Sequence, residues 1–268
     1  MNIGIIGKGF VGNAISEGFK TQGHNIIAHD IRLETNIEDV LDCPIVYISV
    51  PTPSTENGDC DVTIVESVLR ELYHLKYSGF VCIKSTVNPG SLTNWKEQYG
   101  EILNLSFVPE FLREKCAVSD FIYNNNVLVI GTDNPLVELC VKECHGVLPT
   151  HTVVMKPIEA ELVKYFSNSY KAMRVTFANA FSKICGEVGA NYDVVKDTFL
   201  FHGIGDGHYL RVNKEFGGFG GTCLPKDTKG LANLVDELGL DIDLFRTIVN
   251  DNIKFTAGES NQENRIEI

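Results

Sequence analysis

Asn2-Ile3-Gly4-Ile5-Ile6-Gly7-Lys8-Gly9-Phe10-Val11-Gly12 stands at the head of the chain, and its reading decides the fold. A short β-branched apolar run leads into three spaced glycines, and Val11–Lys20 follows with helical amphipathic spacing. Strand, tight turn and helix in that order bring helix N-terminal amides up to a bound pyrophosphate, because Gly7, Gly9 and Gly12 allow close backbone approach. Asp30 ends the second apolar run 18 residues after Gly12. A carboxylate there accepts hydrogen bonds from ribose hydroxyls and repels a 2′-phosphate, so NAD is expected over NADP. Arg32 lies close enough to tolerate such a phosphate. A Gly-rich turn without ligand is the plainer alternative.

Working outward, apolar runs at Asn2–Ile6, Asn25–His29, Ile45–Ser49, Phe80–Ser85, Leu105–Val108, Val127–Ile130 and Thr152–Met155 read as strands. Amphipathic stretches such as Val62–Leu75 and Pro135–Cys144 lie between them. This alternation predicts βαβ units in a mostly parallel sheet with ligands at the strands' C-terminal ends. After Pro157 the texture changes to one long helical pattern reaching Val188, which Gly189-Ala190-Asn191 ends. Asp193 is expected to cap a short helix, and two more are expected near Asp227–Leu238 and Asp243–Phe255. The expected fold is α/β: an N-terminal Rossmann-type doubly wound sheet (1–155), an all-helical domain with one long helix (156–256), and a disordered tail (257–268).

Composition is that of an ordinary globular protein, 44% hydrophobic and 22% charged, and no apolar run is long enough to span a bilayer. The first residues already read as strand and turn rather than as a secretory leader, so a cytoplasmic protein is expected. A net charge of −12 argues against nucleic-acid or anionic-membrane binding. The eight cysteines form no CxxC pair and no metal-type cluster, so neither disulfides nor a metal are expected. Most sit in apolar surroundings and read as core residues. Cys223 is the exception. It follows a Gly-rich loop and precedes Leu224-Pro225-Lys226-Asp227, where a helix N-terminus and a lysine would favour the thiolate. Lys164 and Asn168, four apart, share one face of the long helix and together suit a developing oxyanion. Taken alone they are a solvated helix face, just as Glu110 and Glu114 alone are surface charges.

Four further segments complete a pattern: Val50-Pro51-Thr52-Pro53, Ser85-Thr86-Val87-Asn88-Pro89-Gly90, Pro109-Glu110-Phe111-Leu112-Arg113-Glu114, and Phe216-Gly217-Gly218-Phe219-Gly220-Gly221-Thr222-Cys223-Leu224-Pro225-Lys226-Asp227. With the dinucleotide turn and the long helix, they closely resemble the UDP-glucose/GDP-mannose dehydrogenase family. Its motifs run GxGxVG, VPTP, STVxPG, PEFLRE, ELxKxxxN and FGGxCLPKD in this order. The resemblance implies oxidation of a sugar's primary alcohol to a carboxylate in two hydride transfers to NAD, most simply UDP-glucose to UDP-glucuronate in polysaccharide biosynthesis. It implies Cys223 as covalent nucleophile, Lys164 and Asn168 on the negative oxygen, Asp227 and Thr86 on water, and Glu110 as base. It assigns NAD to Gly7, Gly9, Phe10, Val11, Gly12, Asp30, Arg32, Pro51, Thr52, Ser85, Thr86, Glu114 and Lys226. It assigns the sugar nucleotide to Glu110, Phe111, Leu112, Arg113, Glu114, Lys164, Asn168 and the loop Phe216, Gly217, Gly218, Phe219, Gly220, with Arg211 as an arginine lent to a partner subunit.

The resemblance ends near residue 256, so the family's usual C-terminal domain is expected to be missing. A homodimer through the 157–188 helix is expected to cover that helix's wide apolar stripe. Two other readings remain: a hydroxyacid dehydrogenase of the 6-phosphogluconate type, against which Cys223 argues, and a non-catalytic remnant that binds NAD or a sugar nucleotide.

Overall fold

The computed structural model describes residues 1–55, 58–203, 207–213 and 217–256. They divide into two compact units, one of 1–53 and 60–164, the other of 54–59 and 165 onward. The expected tail, 257–268, lies outside the described residues, as does Phe216.

The first unit holds a seven-stranded sheet: β1 (Asn2–Ile6), β2 (Asn25–His29), β3 (Ile45–Ile48), β4 (Phe80–Ile83), β5 (Asn104–Phe107), β6 (Val127–Gly131) and β7 (His151–Met155), in the order β2-β1-β3-β4-β5-β6-β7. The first five run parallel; β6 turns back against β5 at Phe107 and Gly131, and β7 runs parallel to β6. The chain leaves β1 first to one side and then to the other, so a crevice opens beyond the ends of β1 and β3.

Strand residues alternate between two cores, as a two-residue period requires. Ile3, Ile5, Ile45, Tyr47 and Cys82 face α1 (Phe10–Thr21), α4 (Ala117–Tyr123) and α5 (Pro135–His145). Ile6, Val46, Ile48, Val81 and Ile83 face α2 (Thr63–His74) and α3 (Ser91–Tyr99). The sequence signalled neither α3 nor α4. Three buried residues, Leu92, Trp95 and Tyr99, carry the otherwise polar α3, and α4 spans only seven residues, too few to declare a period.

The long helix, α6 (Pro157–Glu187), runs 31 residues. Its first turns belong with the sheet, because Ala160 and Val163 pack into the α2–α3 core. The second unit contains its remainder with α7 (Tyr192–Phe201), α8 (Leu224–Glu237) and α9 (Leu244–Thr256) around Ala172, Phe219, Leu224 and Ile248. Asn191, not Asp193, caps α7: its Oδ1 accepts from the Asp193 N–H at 2.9 Å. Helix α8 starts three residues before Asp227, since Pro225 suits a first helical turn, where no N–H is required.

Candidate active site and cofactor site

In the first unit, Gly7 has φ +89° and its Cβ position would lie 2.7 Å from the Ser49 carbonyl oxygen. At Gly12 a Cβ would fall 1.9 Å from the Gly7 carbonyl oxygen, so any side chain there pushes helix from strand. Above Gly9 nothing lies within 4 Å of the corresponding point. Gly9 is the N-cap of α1 and brings no side-chain acceptor to the leading amides, and no acidic residue stands in the first turn. Open space over free helix amides is the geometry that a pyrophosphate fills.

Asp30, buried at the end of β2, accepts from the Lys8 N–H at 2.6 Å and from the Arg32 N–H at 2.9 Å. The Arg32 guanidinium closes on both its oxygens, each at 2.9 Å. These Arg32 hydrogen bonds hold the carboxyl far below its ordinary range, against the opposing effect of burial. Ser85 is buried and donates to the Val50 carbonyl at 2.7 Å, joining two of the signature segments; Thr52 is buried and Thr86 half-buried. Pro51 and Glu114 are exposed, and Arg113 is turned onto Asp120 in an ion pair at 2.7 Å.

Lys164 on α6 meets Glu110 after β5. Its Nζ donates to Oε1 and to the backbone carbonyl of Glu110, both at 2.8 Å, while Oε2 accepts from the Leu112 N–H at 2.7 Å. Both side chains are buried. Burial alone would raise the Glu110 carboxyl. The charge and hydrogen bond of Lys164, the Leu112 amide and the charge of Lys84 outweigh it, and the carboxyl stays below its usual value. Phe111 lies alongside, 5.9 Å from the Lys164 Nζ.

Two residues of this unit receive no role from the sequence. Lys84, wholly buried, donates to the Val108 carbonyl at 3.0 Å, and burial brings its ammonium down to about 8. Glu161, one turn before Lys164, accepts the Gly90 and Leu92 amides at 2.6 and 2.9 Å and so caps α3 from α6. Its signals in the sequence are its place at the head of the ELxKxxxN segment and a carboxylate within the apolar stripe of α6.

In the second unit, Cys223 is the N-cap of α8, half-exposed, with its Sγ 3.6 Å from the Thr222 hydroxyl. Among the described residues none of the eight cysteines is joined in a disulfide. Burial pushes Cys43 up to about 11 and Cys82 up to about 12, as befits inert core thiols. One turn beyond Cys223, the fully buried Asp227 accepts from the Asn168 amide on Oδ2 and from Lys226 on Oδ1 at 2.7 Å. Lys171 approaches the Asn168 Oδ1 at 3.4 Å. The fold thus joins Asn168, Lys226 and Asp227 directly. Gly217, Gly218 and Gly220 are half-buried, Phe219 is buried, and Arg211 is exposed. Among the described residues no three His, Cys, Asp or Glu side chains converge to hold a metal ion, and no helix is long and apolar enough to cross a membrane.

A switch-point crevice with a glycine turn and a capped ribose-side carboxylate is that of a dinucleotide-dependent dehydrogenase domain. Residues 31–147 match the NAD binding domain, and 158–254 the central domain, of the UDP-glucose/GDP-mannose dehydrogenase family. The chain is 32% identical to the UDP-glucose 6-dehydrogenase of Rickettsia typhi over 94% of its own length and 67% of that protein's. It is 30% identical to the Rickettsia conorii counterpart over 94% of itself and 66% of that protein. The solved UDP-glucose dehydrogenase of Pyrobaculum islandicum superposes with a TM-score of 0.86 at 26% identity, covering 94% of this chain and 68% of that one. The chain therefore belongs to the UDP-glucose/GDP-mannose dehydrogenase family, and its cofactor is NAD. It spans about two thirds of the length of the curated relatives it matches.

Proposed function

We propose that this protein is an NAD-dependent nucleotide-sugar 6-dehydrogenase that converts UDP-glucose to UDP-glucuronate. The observation that supports it best is Cys223 at the start of α8, one turn before a buried Asp227 that is tied to Asn168 and Lys226. A thiol at a helix N-terminus ionises more readily, because the helix dipole favours the anion.

NAD, when bound, would supply the hydride acceptor, one NAD for each of the two oxidations. The α1 N-terminus with Gly9 would hold its pyrophosphate, and Asp30 would stand at its adenosine ribose. The substrate's primary alcohol loses a hydride and a proton to become an aldehyde. The Cys223 sulfur adds to that carbonyl, giving a thiohemiacetal whose oxygen Lys164 and Asn168 stabilise. A second hydride and proton leave, forming a thioester. Water, oriented by Asp227 and Thr86 and deprotonated with help from Glu110, splits it to the carboxylate and the free thiol. Simple alcohol oxidation needs no nucleophile, so Cys223 separates this reading from a hydroxyacid dehydrogenase.

The test is NADH release with a panel of UDP- and GDP-sugars. Two NADH per UDP-glucose, lost in Cys223→Ser with NAD binding retained, is the expected result. No NADH from any sugar, or two per sugar without the thiol, would overturn it.

The apolar residues left open on α6 support a homodimer. Phe166, Tyr170, Phe177, Phe181 and Ile184 are all exposed and recur at steps of three, four and seven, one stripe along the helix that Val188, just past its end, continues.

A further inference from the structure

The glycine segment before Cys223 reads in the sequence as a flexible tether, yet its described part is pinned to α9. Asn252, buried on that helix, accepts the Phe219 N–H on Oδ1 at 2.6 Å and donates Nδ2 to the Phe219 carbonyl at 2.9 Å. One side chain answers both backbone groups of one residue, as a neighbouring strand would. Asn179 on α6 accepts the Gly218 N–H at 3.3 Å, and its own amide is fixed by the Val175 carbonyl at 2.8 Å. Gly218 has φ +52°, and a Cβ there would stand 2.3 Å from the Asn252 Oδ1; at Gly217 it would stand 2.3 Å from the Phe255 carbonyl oxygen. The glycines thus let the backbone lie directly on α9. The Phe219 ring is seated with Ala172, Leu224 and Ile248. Four residues later comes Cys223.

We propose that Asn252 is the positioning residue of the active-site loop, its amide setting the path of Gly217–Gly221 and through it the place of the Cys223 thiol. The role of that thiol rests on the dehydrogenase reading; the pinning of the loop does not. The chemistry of the position is narrow. Leucine would leave the Phe219 N–H and carbonyl buried and unanswered. Aspartate would keep the acceptor but set a carboxylate oxygen against the carbonyl. That repulsion ends when the acid is protonated and again offers a donor.

The experiment compares Asn252→Leu and Asn252→Asp with the unaltered protein by three measurements: hydrogen exchange at Gly218 and Phe219, site-resolved alkylation of Cys223 by iodoacetamide, and NADH release. Asn252→Leu should exchange Phe219 roughly tenfold faster, as loss of a buried hydrogen-bond partner implies. It should shift Cys223 alkylation several-fold and leave NAD affinity unchanged. In kinetics, KM for the nucleotide sugar should rise more than kcat falls. Asn252→Asp, isosteric and therefore foldable, should show the same defect near neutrality and recover toward about pH 4, each rate referred to the unaltered protein at the same pH. Exchange and alkylation unchanged in Asn252→Leu, or an aspartate defect that acid does not relieve, would overturn the inference. If the unaltered protein releases no NADH while the variants still alter exchange and alkylation, the dehydrogenase reading fails and the loop inference stands.

Discussion

Lys164 grips Glu110 twice, through the carboxylate and through the backbone carbonyl of the same residue, so charge and chain are fixed by one ammonium. Both residues are buried, and such a pair is far more costly to break than it is beneficial to have.

Lys164→Met should therefore destabilise the protein by about 3–5 kcal/mol, whereas Lys164→Met with Glu110→Gln should recover much of that loss. The pH dependence has a definite sign. In the unaltered protein the Glu110 carboxyl is held low, so its stabilising share is present above the ordinary carboxylate pKa and lost as acid reaches the folded value. Without Lys164 the effect of burial prevails and the carboxyl rises. The stability gap between the two proteins should then narrow from about pH 7 to about pH 4.5. Urea midpoints at the two pH values measure it; a gap that widens in acid refutes the assignment.

Asp30 sets the second prediction. Its two oxygens already take four donors, including both arms of the Arg32 guanidinium. Arg32 is thus engaged rather than waiting for a phosphate. A 2′-phosphate would meet the carboxylate at close range, and like charges so placed cost several kcal/mol, so NADP should bind roughly a hundredfold more weakly than NAD. Arg32→Ala should keep that preference. Calorimetric titration of both cofactors decides it, and equal or tighter NADP binding would show Arg32 in command.

Much of this was legible in the sequence because periodicity and motif spacing coincide with the physics. The ends of β1 and β2, the glycine turn, and the start of α6 at Pro157 follow from residue type alone. What stayed hidden was contact at long range. Glu161 capping α3, Lys84 on the Val108 carbonyl, and Asn252 on Phe219 each join segments 24 or more residues apart. A polar residue inside an apolar stripe hints at such a bond but does not name its partner. The clusters around Glu110 and around Asp227 were assigned from motif resemblance; no spacing rule would have paired Asn168 with a residue 59 positions away.

Lys84 supplies a prediction that runs against the usual behaviour of a lysine, whose stabilising share is lost as pH rises. Burial lowers its folded pKa to about 8, while the unfolded side chain titrates near ~10.4. The unfolded state binds the extra proton between those values, so this residue's contribution to stability rises with pH across that window and is absent below it. Buried thiols such as Cys82 act in the opposite sense, which makes the difference between proteins the quantity to measure. The stability of the unaltered protein minus that of Lys84→Met should increase between about pH 8 and about pH 10. A flat or falling difference in urea unfolding would show that Lys84 keeps its ordinary proton affinity.

The last prediction concerns the open face of α6. Phe166 is 74% exposed and Phe177 61%, on a helix that elsewhere buries Tyr165, Ala172, Ala178 and Cys185, and Val188 just past its end is 73% exposed. Phe166 stacks on Tyr170 and Phe177 leans on Phe181, so the exposed rings pair along the stripe rather than scatter over the surface. Leaving them in water forgoes roughly 25 cal/mol for each Å² that a second copy would cover. A two-fold axis crossing the helix sets the same stripe against itself, which is the economical way to bury one repeated pattern. The steps of three, four and seven suit helices packed side by side at a shallow angle. Light scattering at micromolar concentration should therefore give about twice the 29.7 kDa of the single chain. Phe166→Glu with Phe177→Glu should return the mass to that of the monomer, because two carboxylates per copy would be driven into an apolar seam. Circular dichroism of the double variant should keep its helical signal, since both side chains lie outside the chain's own core. A mass near 29.7 kDa for the unaltered protein would sink the dimer.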